Sequence, residues 1–223
     1  MYHKLLFLLL ISLIACNKKT IHGPVNFKDK IGDKTYDCIY TGMQGLYTKH
    51  SCNCYDAQNT LVEAGHFLQD TIAIGWHTYF RADGTMQAQR EFINLTDTTI
   101  YMNRVIRFNK NGVDTNLSQS NFFTIGLDTS AIPLNENLNA VFYLTAPVFE
   151  NSYIQVSLVN DDGSDMMLPG NKTRMQTFTA KVNKRGAFNL RGFIDEIKPL
   201  DLNADTTKAQ KRRLYFTIPY SVY

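Results

Sequence analysis

Residues 213–223 read Arg213-Leu214-Tyr215-Phe216-Thr217-Ile218-Pro219-Tyr220-Ser221-Val222-Tyr223. Leu214, Phe216, Ile218, Tyr220 and Val222 occupy every second position, with Tyr215, Thr217, Pro219 and Ser221 between them. A period of two is the mark of a strand with one buried face. At the end of the chain it predicts a terminal strand tied into a sheet, at an edge because Pro219 lacks a backbone donor.

Working back from there, residues 199–211 are polar and read as a loop. Thr173–Val182 and Ala187–Ile194, joined by Asn183-Lys184-Arg185-Gly186, predict a hairpin. Ser152–Val159 places Ile154, Val156 and Leu158 inward, and Asn139–Ala146 is a strand stopped by Pro147. Residues 128–138 read as a loop and Asn121–Leu127 as a short strand. In Thr71–Arg81, Ile72, Ile74, Trp76 and Phe80 fall on one face, with His77 and Tyr79 on the other. Met86–Leu95, Thr98–Phe108 and Tyr36–Met43 are further strands. Only residues 55–69 carry helical spacing, through Leu61, Ala64, Phe67 and Leu68, and predict one short helix despite Gly65. Nine or ten short strands without a βαβ rhythm predict an all-β fold, an antiparallel β-sandwich or barrel-like domain. The first organisation expected is one domain over residues 35–223. The second is two small β domains divided near residues 128–138.

The chain has 223 residues, 44% of them hydrophobic and 12% aromatic. That is too apolar for a disordered protein and enough for a large core. The balance of 23 Lys and Arg against 20 Asp and Glu excludes the strongly basic character of a dedicated nucleic-acid binder. The short run Lys208, Lys211, Arg212 and Arg213 lies near Asp201 and Asp205 and reads as a solvated loop.

Residues 1–15, MYHKLLFLLLISLIA, place Lys4 before an apolar run too short for a membrane span, which is the shape of a secretory signal. Leu13-Ile14-Ala15-Cys16 then resembles the lipobox of bacterial lipoproteins, and the richness in Asn, Lys, Ile, Tyr and Thr resembles Bacteroidota envelope proteins. The resemblance covers the first 16 residues. It implies cleavage before Cys16, acylation of that residue and stable membrane anchoring. Asn17, where an inner-membrane retention signal would place Asp, implies the outer membrane. Asn17-Lys18-Lys19-Thr20 stands where an acidic cluster often accompanies surface export, which implies the periplasmic face first and the cell surface as the alternative. Residues 16–34 then form the lipidated cysteine and a flexible tether, with an edge strand near its end.

With Cys16 acylated, Cys38, Cys52 and Cys54 remain in a compartment that permits disulfides, and three thiols cannot all pair within one chain. One expected outcome is a disulfide from Cys38 to Cys52 or Cys54. A bond between Cys52 and Cys54 fits standard disulfide geometry poorly. The other is a soft-metal site of Cys38, His50, Cys52 and Cys54, with His22, His66 or His77 as an alternative nitrogen ligand, suited to zinc or cuprous copper. Asp161-Asp162-Gly163-Ser164-Asp165 reads as a hairpin turn, with calcium as the alternative. No nucleophile elbow or zinc-protease motif is present. Glu63 and His66 would share a face only on a helix, and Glu91, Glu150 and Glu196 lie near strand ends where carboxylates can pair. No cofactor and no nucleic-acid partner is expected. Surface binding falls to His77, Tyr79, Tyr215 and Tyr223, and Trp76 is expected to pack.

The sequence therefore predicts a lipid-anchored envelope protein with a non-enzymatic binding or assembly role and a protein partner. An exposed sheet edge or apolar patch should mark the partner's place. The alternatives are an envelope glycan-binding protein or hydrolase accessory, and a soft-metal-binding lipoprotein.

Overall fold

The structure, a computed structural model, describes residues 25–223 apart from 70, 97, 98, 118, 161, 162, 170, 171 and 201–208. The expected signal segment 1–15, Cys16, His22, Asp161, Asp162, Asp201, Asp205 and Lys208 therefore lie outside the described residues.

The first eight strands form one antiparallel meander: β1 (Phe27–Ile31), β2 (Lys34–Gln44), β3 (Tyr47–Tyr55), β4 (Leu61–Leu68), β5 (Ile72–Phe80), β6 (Met86–Asn94), β7 (Ile100–Asn109) and β8 (Gly112–Asp114). Each pairs only with its sequence neighbours within the sheet, and the sheet curls as a half-barrel. Strand β1 is the edge strand expected at the end of the tether, so the sheet begins before Thr35.

The remaining strands build a two-layer sandwich. They are β9 (Phe122–Leu127), β10 (Ala131–Ile132), β11 (Asn137–Ala146), β12 (Tyr153–Val159), β13 (Asp165–Met167), β14 (Met175–Lys181), β15 (Gly186–Pro199) and β16 (Ala209–Val222). One layer has the order β10-β16-β15-β12-β13 and the other β14-β11-β9. All pairings are antiparallel except the two-residue contact of β10 with β16. The core lies between these layers, where Phe142, Val156, Ile194 and Leu214 are wholly buried. Strand alternation delivers them: Leu138, Ala140, Phe142 and Leu144 from β11 meet Ile154, Val156 and Leu158 from β12. The change of sheet pairing falls across residues 115–121, where an isolated bridge joins Val105 to Asn121.

Several expectations change. Among the described residues there is no helix: Leu61–Leu68 is a strand, and its helix-like spacing comes from a bulge between Ala64 and His66. The expected hairpin of residues 173–194 does not form, because β14 pairs with β11 while β15 pairs with β12 and β16. Residues 182–185 instead cross between layers. Strand β16 is second in its sheet rather than at the edge. Its outer neighbour β10 covers only Ser221 and Val222, which leaves the donor side at Pro219 open and explains how proline is tolerated there.

Candidate functional site

The half-barrel brings most of the sequence candidates onto its inner face. Register places Cys38 directly opposite Cys52, with Cα atoms 4.1 Å apart, and the two form a disulfide. Cys54 stays free and buried. Burial pushes its thiol above the ordinary value, against the opposing effects of Tyr36 and Lys34, so it remains protonated and unreactive at neutral pH. With two of the three sulfurs bonded to each other, the four-ligand set of Cys38, His50, Cys52 and Cys54 does not exist. Among the described residues no three His, Cys, Asp or Glu side chains gather as metal ligands.

His77 is not the surface residue its alternation predicts; it is wholly buried. The reason is Gly75, whose φ of 66° breaks the alternation of β5. The β4–β5 bulge completes the change of face, turning His77 inward and Trp76 outward. The His77 ring lies between Phe67 and Phe92, with centroids 4.8 and 5.2 Å away. It stands where a side chain at Gly65 would be: a Cβ built there would lie 2.4 Å from Nδ1. Its Nε2–H donates to the carbonyl oxygen of His66 at 2.9 Å, and Nδ1 meets Glu63 Oε1 at 2.8 Å.

Burial alone would raise the Glu63 carboxyl. The hydrogen bond and charge of His77, with help from Tyr79 and Lys34, outweigh it and hold the carboxyl below its ordinary value of 4.5. Both ring nitrogens of His77 thus face oxygen acceptors, a carboxylate on one side and a backbone carbonyl on the other. Tyr79, half-buried beside it, is pushed up to about 12 by burial and by Glu63. The Arg90 guanidinium lies 4.6 Å from the centre of its ring. Glu63 and His66 do not act together: His66 joins the cluster only through its backbone. This cluster is braced from several sides and ties together three strands of the curl, β4, β5 and β6.

Trp76, Glu91 and Arg104 occupy the opposite face, where β7 meets the sandwich. Arg104 forms a two-pronged pair with Glu91. Its guanidinium lies 4.7 Å from the Trp76 ring centre and 4.6 Å from that of Phe123. Asn103 completes the joint. Its amide donates to the Tyr215 carbonyl at 2.8 Å and to Glu91 at 2.6 Å, and its oxygen accepts the Tyr215 N–H at 2.7 Å. One side chain thus satisfies both backbone groups of Tyr215, as a neighbouring strand would. Tyr215 is accordingly part of the joint, with its ring against Tyr101 and Phe193, while Tyr223 is exposed. Glu196, wholly buried, accepts hydrogen bonds from the Val148 and Phe149 amides and the Ser152 hydroxyl. Glu91 and Glu196 therefore serve separate structural networks and do not form a carboxylate pair.

Two clefts accompany these networks. One of about 540 Å³ lies beside Arg104 and Tyr215, at the joint. The other, about 360 Å³, opens between the sandwich layers, with Leu138, Phe178 and Leu190 in its walls and Lys181, Lys184 and Arg191 among its polar residues.

Strand β14 borders that second cleft and ends its sheet. The bonds Leu144 N–H to the Arg174 carbonyl and Val182 N–H to the Glu136 carbonyl set its phase. Even-numbered residues turn their backbone groups to β11, and odd-numbered ones turn them outward. The Thr173 hydroxyl engages both backbone groups of Met175. Those of Thr177, Thr179 and Lys181 meet no strand among the described residues. Nearby Met166, Met167 and Met175 are exposed. This edge is an unfilled strand position flanked by adaptable methionines, a surface suited to an extended peptide. The sequence did not single it out, since it depended on which strands pair, and the alternation of Met175-Gln176-Thr177-Phe178-Thr179-Ala180-Lys181 fits a central strand as well as an edge one. Compared with protein-family models, curated proteins and solved structures, the chain matches none of them.

Proposed function

We propose that this chain is a lipid-anchored envelope protein, held at Cys16 in the outer membrane with its domain on the periplasmic side, and that it acts by binding a protein partner. The partner adds a strand to β14. The observation that carries this reading is the outward row of backbone groups at Thr177, Thr179 and Lys181, which meets no strand among the described residues, with exposed methionine nearby.

Charge selects among partners. Arg174 and Lys181 flank the open row, so a second copy pairing antiparallel would bring cation against cation, while an acidic extended segment is complementary. Edge lysines also discourage self-association.

The test is affinity isolation of the acylated protein from mildly solubilised envelopes, beside its Thr179→Pro variant. Proline removes an outward N–H that no strand uses and blocks an added strand, with little effect on the fold. A stoichiometric partner recovered with the parent and lost with Thr179→Pro supports the reading. A partner retained by the variant, or none recovered by the parent, refutes it. Cys16→Ser should move the protein out of the membrane fraction.

A further inference from the structure

We propose that the cleft at the joint binds a short peptide, held through the amide N–H and carbonyl of one apolar residue against the backbone of Thr217. The site lies apart from β14: it is bordered by β9, the opposite edge of the same three-stranded layer.

Strand β16 turns the backbone groups of alternate residues toward β15 and away from it. The outward set is odd-numbered, because Tyr215 gives its N–H to Asn103 and Ser221 gives its own to the Ser130 carbonyl at 2.8 Å. The Arg213 carbonyl, in the same phase, accepts the Tyr101 hydroxyl at 2.6 Å. Pro219 has no N–H to leave open. Thr217 is the remaining member, and its N–H and carbonyl meet no partner among the described residues. The Asn103 side chain closes this opening on one side and Pro219 ends it on the other. It is a place for one amide unit, not for a whole strand.

The cleft sits on this edge. Its wall includes Tyr215, Phe216, Thr217 and Ile218, four consecutive residues whose side chains alternate between the faces of the sheet, as an edge supplies and a single face does not. Ile93 of β6 and Phe123 and Ile125 of β9 add apolar walls, and the volume of about 540 Å³ falls in the range of small-ligand sites. Among the lining residues Glu91 and Arg104 carry charge, and they are paired with each other. The open recognition groups are therefore the neutral ones of Thr217.

The fold itself shows how an amide fits here. The Asn103 carboxamide donates to the Tyr215 carbonyl at 2.8 Å and accepts its N–H at 2.7 Å. Thr217 presents the same pair of groups in the same phase, roughly 7 Å further along the strand. An extended, capped amino acid repeats the exchange: its N–H donates to the Thr217 carbonyl, and its own carbonyl accepts the Thr217 N–H. A carboxylate would satisfy the N–H but repel the carbonyl, and an ammonium would leave the N–H without an acceptor. The side chain of the bound residue has Ile93, Phe123 and Ile125 to lie against, which favours an apolar one.

The test titrates the isotope-labelled full chain with N-acetyl-leucine methylamide and reads each backbone amide by nuclear magnetic resonance. The peptide is taken to about 10 mM, so that a Kd as weak as about 1 mM is saturated. The Thr217 amide should shift and become protected from exchange. The analogue methylated on the leucine nitrogen should bind at least about ten-fold more weakly. Thr217→Pro removes the N–H in a phase where Pro219 is already accommodated, and Ile125→Trp fills the cleft while leaving Thr217 in place. Both should abolish binding, and Thr179→Pro should leave it unchanged. Absence of a shift at Thr217, or equal affinity for the methylated analogue, overturns the proposal. Undiminished binding by Thr217→Pro or Ile125→Trp with the parent's fold retained does so too. A Thr217 amide already protected in the free protein assigns the opening to a segment of this chain and overturns it as well. Shifts confined to Thr177, Thr179 and Lys181 place the peptide at β14, which overturns this site and leaves the reading of that edge intact.

Discussion

Replacing Gly65 by alanine should destabilise the protein strongly, although the same change normally favours folding. Gly65 has an ordinary backbone conformation, so alanine would bring no φ strain, and its smaller unfolded-state entropy would add about 0.4–1 kcal/mol of stability. The obstacle is His77. The new Cβ would lie 2.4, 2.5 and 2.6 Å from its Nδ1, Cγ and Cε1 atoms, where a normal contact needs about 3.5 Å or more. The ring has nowhere to retreat, being flanked by Phe67 and Phe92 and bonded at both nitrogens.

Overpacking alone costs about 1–3 kcal/mol. Displacing the ring also weakens a charge-assisted hydrogen bond of about 1.5–3 kcal/mol and a neutral one of about 1 kcal/mol. Allowing for partial relaxation and the entropic gain, the net loss should be about 3 kcal/mol, or a fall in Tm of about 6–12 °C for a chain of this size. Urea unfolding followed by Trp76 fluorescence measures it. The decisive control is the His77→Ala background: that change itself destabilises by unpairing Glu63, but Gly65→Ala added to it should be neutral or slightly stabilising. A loss below about 1 kcal/mol in the parent protein, or an equal loss in both backgrounds, would refute the packing argument.

Other consequences are open to measurement. Asn103→Ala should cost about 2–4 kcal/mol by stranding the N–H and carbonyl of Tyr215, and should speed amide exchange along β16, whereas unchanged exchange there would contradict the joint. Cys38→Ser with Cys52→Ser should lower stability by about 3 kcal/mol, given a sequence separation of 14, as chemical unfolding will show. Cys54 should resist iodoacetamide in the native protein and react only on unfolding, so alkylation of the folded chain would refute its burial. Because the folded Glu63 carboxyl lies below its ordinary value of 4.5, its contribution is complete above that value and is lost as pH falls through the folded one. The Glu63→Gln variant should accordingly show a flatter decline of stability with acid, and an identical decline would remove Glu63 from the account.

The terminal strand was legible because Leu214, Phe216 and Val222 are buried by one dense core, and a continuous buried face prints its period onto the residues. The all-β class followed from the same pattern repeated along the chain. His77 was misplaced because a bulge shifts alternation by one residue, and nothing local distinguishes Gly75 with positive φ from a glycine in a regular strand. The helical spacing of residues 61–68 misled for the same reason, since a bulged strand and a short helix both interrupt a period of two. The hairpin expected across residues 183–186 has good turn residues, but turn chemistry does not decide whether two strands pair or cross to opposite layers. Asn103 left no signal at all. Its role depends on Tyr215, distant in sequence, arriving beside it with the backbone groups that face away from β15 unpaired by any described strand.

The proposed binding role stands on the open edge of β14, and backbone amide exchange resolved to single residues reads that edge out. In the purified protein, Thr177, Thr179 and Lys181 should exchange rapidly, while Gln176, Phe178 and Ala180, bonded to β11, exchange slowly. In the complex isolated from envelopes, the three odd-numbered amides should become protected together. Protection of those three amides in the free protein, or no change when the partner is bound, would contradict the account.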